Sequence, residues 1–295
     1  MRRCGGASVF ALGLLIGACV LDVDGTGPRA MSPSGEQPSN GMGGAGGGTG
    51  GAGAGEEGGG GDGGAGGDAP IEGPFCDAND PTLVACHPFD DGFHGGGDSV
   101  SGPGRIEDRS GRGNHLVDVR NARFEPGRGG KALRMDGGSY ARIDYNPSID
   151  FTLLTVELWV QPAALPAPGQ RMGLVDSDLR FGLFVNEDGI VDCHLPQMGG
   201  VLRSSPQALR GAAWSYVACM YDGNEGRLYI DGARVATAPV GALPQEHNRP
   251  IVVGGDDPGA DRFHGLIDRL RLFDGVRSER QICLAALRPA CPSSG

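Results

Sequence analysis

Lysine is almost missing from this chain. Lys131 is the only one, the lysines and arginines together number 25 against 36 acids, and the net charge is −11. A chain so acidic repels phosphate backbones and anionic headgroups, which argues against nucleic-acid binding and against electrostatic docking on lipid. Aromatic residues make up only 6% of the chain. No C-x-x-C pair occurs, which removes zinc knuckles and thioredoxin-type redox chemistry. The histidines (His87, His94, His115, His194, His247 and His264) are scattered, with no H-E-x-x-H pair, and no G-x-S-x-G elbow presents a nucleophilic serine. The glycine runs do not sit between a strand and a helix, so they are not phosphate-binding loops. The apolar run Val9 to Ile16 is too short to cross a bilayer.

That short run has the build of an export signal. Arg2 and Arg3 precede it, and it ends in Ile16-Gly17-Ala18-Cys19, a lipobox-like sequence. Residues 1–18 are therefore read as a lipoprotein signal peptide and Cys19 as the lipidated new N-terminus. A multi-chain acyl anchor is enough for stable attachment and would be the chain's only membrane contact. Val20 is not an acidic retention signal, so the expected location is the outer membrane or cell surface of a bacterium. Residues 19–73 read as a disordered linker, mostly glycine from Gly41 to Asp68 and without aromatic residues there. A glycine-rich coil of about 50 residues spans roughly 35–45 Å.

Six cysteines remain beyond Cys19, an even number suited to an oxidising compartment. Six cysteines allow fifteen pairings. The preferred one is Cys76–Cys86, Cys193–Cys219 and Cys283–Cys291. The first and last close short loops that pin the domain ends. The middle pair falls on the apolar faces of two strands, read as neighbours.

Residues 74–295 suit one all-β domain. Short apolar-alternating runs are separated by turn signals at 83–89, 115–119, 132–135, 139–144, 154–162, 179–185, 189–195, 213–221, 226–231, 250–255 and 264–273. Ser278 to Leu287 is the one helical candidate, with Ser278 as N-cap. Alternation puts Val156, Leu158 and Val160 on one face of their strand, with Glu157 and Trp159 on the other. Applied to all strands, it gathers Glu157, Trp159, Arg180, Phe184, Asp192, His194, Arg227 and Tyr229 on the non-core face. That set reads either as a sugar-binding surface or as a mixed solvent-facing or semi-buried sheet face. Asp268, alternating with Leu266, Leu270 and Leu272, is expected to point inward, where a lone carboxylate needs a partner.

Several segments carry a family resemblance. They are the D-x-S-G-x-G-N turn at Asp108–Asn114, ALRMDGGSYARID at 132–144, FTLLTVELWVQP at 151–162, the hairpin opening at Trp214, IVVGGD at 251–256 and GLIDRLRLF at 265–273. In order and spacing these resemble the laminin-G-like jelly rolls of the concanavalin A-like lectin/glucanase superfamily. The resemblance spans about 200 residues, from Leu83 to Ile282, and implies a two-sheet antiparallel jelly-roll sandwich. It also implies a candidate calcium at Asp268 with Asp90 and Asp91 as co-ligands, alongside the plainer readings of backbone capping or pairing of Asp268 with Arg269 or Arg271. Glucanases of this fold carry E-x-D-x-E or E-x-D-x-x-E on one strand, whereas Glu157 has no second acid two residues on. The expected function is therefore non-catalytic recognition of carbohydrate or of a cell-surface protein. The alternatives are a structural or adhesion module without a small ligand, and a degenerate glycoside hydrolase.

Overall fold

The computed structural model describes residues 74–195, 200–243, 248–256 and 259–292. The signal, Cys19 and the glycine-rich linker lie outside them. The strands are β1 Leu83–His87, β2 Ser99–Val100, β3 Gly104–Ile106, β4 Leu116–Pro126, β5 Lys131–Ile143, β6 Leu154–Pro162, β7 Arg171–Ser177 and β8 Phe181–Asn186. They continue as β9 Val191–Leu195, β10 Gly200–Arg203, β11 Ser215–Tyr221, β12 Glu225–Ile230, β13 Ala233–Pro239, β14 Ile251–Val253 and β15 His264–Phe273, before helix α1, Glu279–Ala285.

Every pairing is antiparallel, and the main path runs β10-β9-β8-β7-β14-β5-β15-β6-β11-β12-β13, with β1 on β15 and β4 on β5. The path curls until β10 lies against β12 and β13, so two opposed layers enclose one core. This is the jelly-roll architecture expected. Leu158 and Val160 of β6 share that core with Leu183 and Val185 of β8, Val191 of β9 and Leu228 of β12. Alternation assigned each of them to that face.

Three disulfides staple the fold: Cys76–Cys86, Cys193–Cys219 and Cys283–Cys291. Cys193 on β9 and Cys219 on β11 are not on neighbouring strands, as the sequence reading had supposed. They join opposite layers where the sheet curls shut. The D-x-S-G turn is structural. Asp108 Oδ1 accepts from the Cys86 and Ser110 amides (2.8 and 2.9 Å) and Oδ2 from the Asn114 amide (2.9 Å), while the Asn114 side chain donates to the Val84 carbonyl (2.7 Å). The turn thus ties β4 to β1.

A second, smaller core lies outside the sheet. Trp159, Tyr216, Ala218, Met220 and Tyr229, from the outer face of β6, β11 and β12, pack under Ile282, Ala285 and Ala286 of the α1 segment. Ser278 caps that helix, accepting from the Gln281 amide (3.2 Å), while Gln281 Oε1 accepts from the Ser278 amide (2.8 Å). A reciprocal cap of this kind contributes about 1 kcal/mol. Ser278→Ala is therefore expected to lower Tm by about 2–4 °C in a domain of this size, read by calorimetry. A change under about 1 °C would mean that the Cys283–Cys291 bridge holds the helix without its cap.

Candidate functional site

The proposed ligand face divides into three fates. Glu157, Trp159 and Tyr229 are 1%, 5% and 1% exposed, closed beneath the second core. Alternation chose their face correctly; what it could not show was the helix lying on that face. Trp159 Nε1 donates to the Ala285 carbonyl (3.2 Å), with its ring edge-on to Tyr216 and the Arg128 guanidinium 4.8 Å from its centre. Glu157 is ion-paired to Arg271, accepts from the Tyr216 hydroxyl (2.7 Å), and has Arg277 at 3.8 Å. Burial pushes its pKa up, but Arg271 and Arg277 outweigh that and hold it below its ordinary value. Arg227 is taken up locally, by Asp222 and Glu225 at 2.6 Å each. None of these four forms a sugar platform.

The remaining residues meet on the other layer. The outer face of β7, β8 and β9 forms the wall of a cleft of about 360 Å³, to which Arg180 and His194 contribute. Strand register builds it. Gly182 of β8 lies between Asp176 on β7 and His194 on β9, and Phe184 lies opposite Asp192. Gly182 has no side chain to fill the floor, and a Cβ there would collide with Phe184 and Asp176. Phe184 lies edge-on to His194 (5.0 Å between centres) and beneath Arg171 (4.0 Å). Arg171 is gripped by Asp256 (3.0 Å) and Asp261 (2.6 Å), which places the loop after β14 at the rim. Asp257 lies outside the described residues. Asp192 is bound by Arg203 through two hydrogen bonds (2.7 and 2.6 Å). Burial works against its charge, yet Arg203 and His194 hold its carboxyl far below the usual range.

Two rim residues are unusual. Leu179 sits in the β7–β8 turn with φ +65° and is 53% exposed; Val201, on β10, is 44% exposed. A left-handed leucine costs about 1–2 kcal/mol, and such strain concentrates at functional sites. Arg171, Asp176, Asp178, Leu179, Val201 and Asp256 all line the cleft without having been singled out as site residues from the sequence.

Asp268 needs a correction. It is fully buried, but not on the core face. Arg269 takes φ +50°, a bulge interrupts pairing with β6, and Ile267, Leu270 and Leu272 face the core instead. The turn between β4 and β5 covers Asp268, whose Oδ2 accepts from the Arg128 amide (2.8 Å) while Oδ1 is buried without a partner. Burial raises its pKa to about 6. Of the residues read as calcium co-ligands, Asp91 turns to Arg109 (2.6 Å), while Asp90 accepts from the Lys131 amide (2.9 Å) and lies near enough for its charge to be felt at Asp268. Among the described residues, no three His, Cys, Asp or Glu side chains gather as a metal site.

Comparison with known proteins fits this architecture. A laminin-G family model, described as the concanavalin A-like lectin/glucanases superfamily, matches residues 135–283. No curated protein matches the chain. The binding domain of Paraclostridial mosquitocidal protein 1 is similar in structure, with a TM-score of 0.53 at 15% identity over 70% of this chain and 52% of that one. Domain 4 of an extracellular arabinanase from Geobacillus stearothermophilus, solved with arabinotriose, gives 0.50 at 18% identity over 69% of this chain and 98% of that one. The binding domain of botulinum neurotoxin DC, in complex with rat synaptotagmin II, gives 0.50 at 13% identity over 65% and 51%. The chain spans about half the length of the two toxin domains. At these identities the likeness is one of fold. The three neighbours are binding domains or stand with a bound ligand or receptor.

Proposed function

The chain belongs to the concanavalin A-like lectin/glucanases superfamily, and from that premise we propose that it is a non-catalytic recognition lipoprotein that binds carbohydrate through the β7–β8–β9 cleft. Cys19 anchors it to the outer membrane or cell surface, and the linker to residue 73 holds the domain away from the lipid. The observation that carries the reading is the cleft itself. It is a cleft on a sheet face, where Gly182 leaves room for the Phe184 ring and the Asp176 carboxylate, with charged hydrogen-bonding groups on its walls and two exposed aliphatic side chains on its rim. Polar groups that fix orientation beside apolar contact area are the usual make-up of a small-ligand site. The non-catalytic part rests on Glu157, which is 1% exposed and ion-paired to Arg271.

Leu179→Gly separates binding from folding. Glycine relieves the left-handed strain, so Tm is expected to hold or rise. The variant also removes an exposed rim contact, and glycan affinity is expected to fall about five- to tenfold. The test is a glycan array with the mature protein, arabinotriose included, followed by titration of the hits against Leu179→Gly. Glycan binding indifferent to Leu179 would sink the cleft as the site. No glycan binding at all would favour the second reading, a protein receptor engaged through the same rim, which the exposure of Leu179 and Val201 supports.

A further inference from the structure

The charge of the cleft limits what can enter it. Asp176, Asp178 and Asp256 line it against Arg171 and Arg180. Neither arginine offers an uncompensated charge: Arg171 is held by Asp256 and Asp261, and Arg180 lies 3.9 Å from Asp150. Arg249, 3.3 Å from Asp178, is the third base. Within the lining, three carboxylates thus face two guanidiniums. The crowding is felt within it. Burial raises the Asp256 pKa, and the charges of Asp261 and Asp178 add to that against the opposing pull of Arg171.

The hydrogen-bonding groups are of both kinds. Arg180 is 4% exposed and donates to the Ile149 carbonyl, but its Nη1 is buried without a partner. That nitrogen has no accessible surface, so Arg180 acts on the cleft as a fixed positive charge and not as an open donor. The carboxylates of the lining accept and the guanidiniums donate. A hydroxyl can do both and carries no charge to desolvate. A carboxylate ligand is repelled by the acids; an ammonium meets only the acids and is repelled by the guanidiniums. Leu179 and Val201 offer apolar contact at the rim.

Resting on the carbohydrate reading above, we infer that the cleft selects uncharged, polyhydroxylated sugars and rejects acidic ones, with Asp178 and Asp256 as the rejecting residues. An excess of one negative charge several ångströms from a ligand carboxylate, partly screened, discriminates by about tenfold. The mature protein is titrated at low salt with matched probes: galactotriose against trigalacturonate, lactose against 3′-sialyllactose, and N-acetylglucosamine trimer against glucosamine trimer. Among pairs that bind, the neutral member is expected to bind about tenfold tighter than the acidic one, with the gap closing as salt rises. The neutral trimer is also expected to outbind the cationic trimer. Asp178→Asn with Asp256→Asn is expected to bring the acidic member several-fold closer, with retention of fold checked by melting. An acidic member binding as tightly as its neutral partner overturns the inference while leaving the carbohydrate reading intact. A gap unmoved by the two substitutions overturns the residue assignment, and a salt-independent gap overturns the electrostatic cause. Silence across all probes and across the wider array removes the carbohydrate reading and this inference with it.

Discussion

Glu157→Gln is expected to cost about 3–5 kcal/mol of folding stability and to leave glycan binding by the folded protein unchanged. The residue is 1% exposed, and its carboxylate is the counter-charge that Arg271 and Arg277 both face. Removing one partner of a buried ion pair strands the other, and that penalty is of this size. Arg271 has little to fall back on: its Nη1 donates to the Phe75 carbonyl (2.9 Å) and its guanidinium lies 4.3 Å from the Phe75 ring, but its Nε is buried without a partner. In a domain of about this size the loss corresponds to a fall in Tm on the order of 10 °C. Glu157→Gln combined with Arg271→Met is expected to recover part of the loss, because it removes both charges and leaves an apolar side chain of similar length. Trp159→Ala belongs with Glu157→Gln, since it opens the second core on which α1 rests. Thermal melts and glycan titrations on the same samples check all three. A Tm within about 2 °C of the parent together with lost binding would return Glu157 and Trp159 to a ligand surface.

How Glu157 and Trp159 were misplaced shows what the sequence carries and what it does not. Two-residue alternation is a property of the strand, so it sorted β6, β8, β9 and β12 correctly, and Cys193 and Cys219 with them. Alternation says which side a residue is on but not what covers that side. The cover here comes from Ile282 and Ala285, more than 120 positions along the chain from Trp159. The helix itself was legible, because Ser278 reads locally as an N-cap; its reciprocal partner Gln281 emerged only from the structure. Where alternation breaks, the reading broke too. Arg269 at φ +50° shifts the register of β15 and turns Asp268 away from the core face, and nothing local marks an arginine as left-handed. Strand β7 was missed entirely. Its residues from Met172 to Ser177 are all buried, with a bulge between Gly173 and Val175, so it shows no polar-apolar rhythm. Missing β7 meant missing Arg171 and Asp176, and with them the cleft. The cleft is a product of register between strands, which a one-dimensional pattern does not contain.

Two buried groups on neighbouring strands are expected to hide each other's pH dependence. His87 ends β1 and pairs in register with Leu270, two residues from Asp268. Its ring is fully buried with neither nitrogen partnered, and burial lowers its pKa to about 4 despite the opposing charge of Asp108. Burial raises the pKa of Asp268 to about 6, with Arg128 and Arg269 pulling it down and Asp90 pushing it up. Between about pH 4 and 6.5 the unfolded chain protonates His87 while the native state does not, so this group's contribution rises with pH. Between about pH 4 and 6 the native state keeps a proton on Asp268 that the unfolded chain has lost, so this contribution falls with pH. Each shift is worth ~3 kcal/mol across its window. The parent protein is therefore expected to keep a nearly level stability from about pH 4.5 to 6. Asp268→Asn is expected to unmask the histidine, with stability dropping by ~3 kcal/mol as pH falls from 6.5 to 4. His87→Leu is expected to do the reverse and grow more stable toward pH 4.5. Below that, acid unfolding sets in for every variant, because Asp108, Glu157 and Asp192 have lowered pKa values and lose their partners on protonation. Urea midpoints at pH 4.5, 5.5 and 6.5 for the three proteins decide the matter. Opposite slopes in the two variants confirm the masking; parallel slopes in all three would mean that neither group titrates as its burial requires.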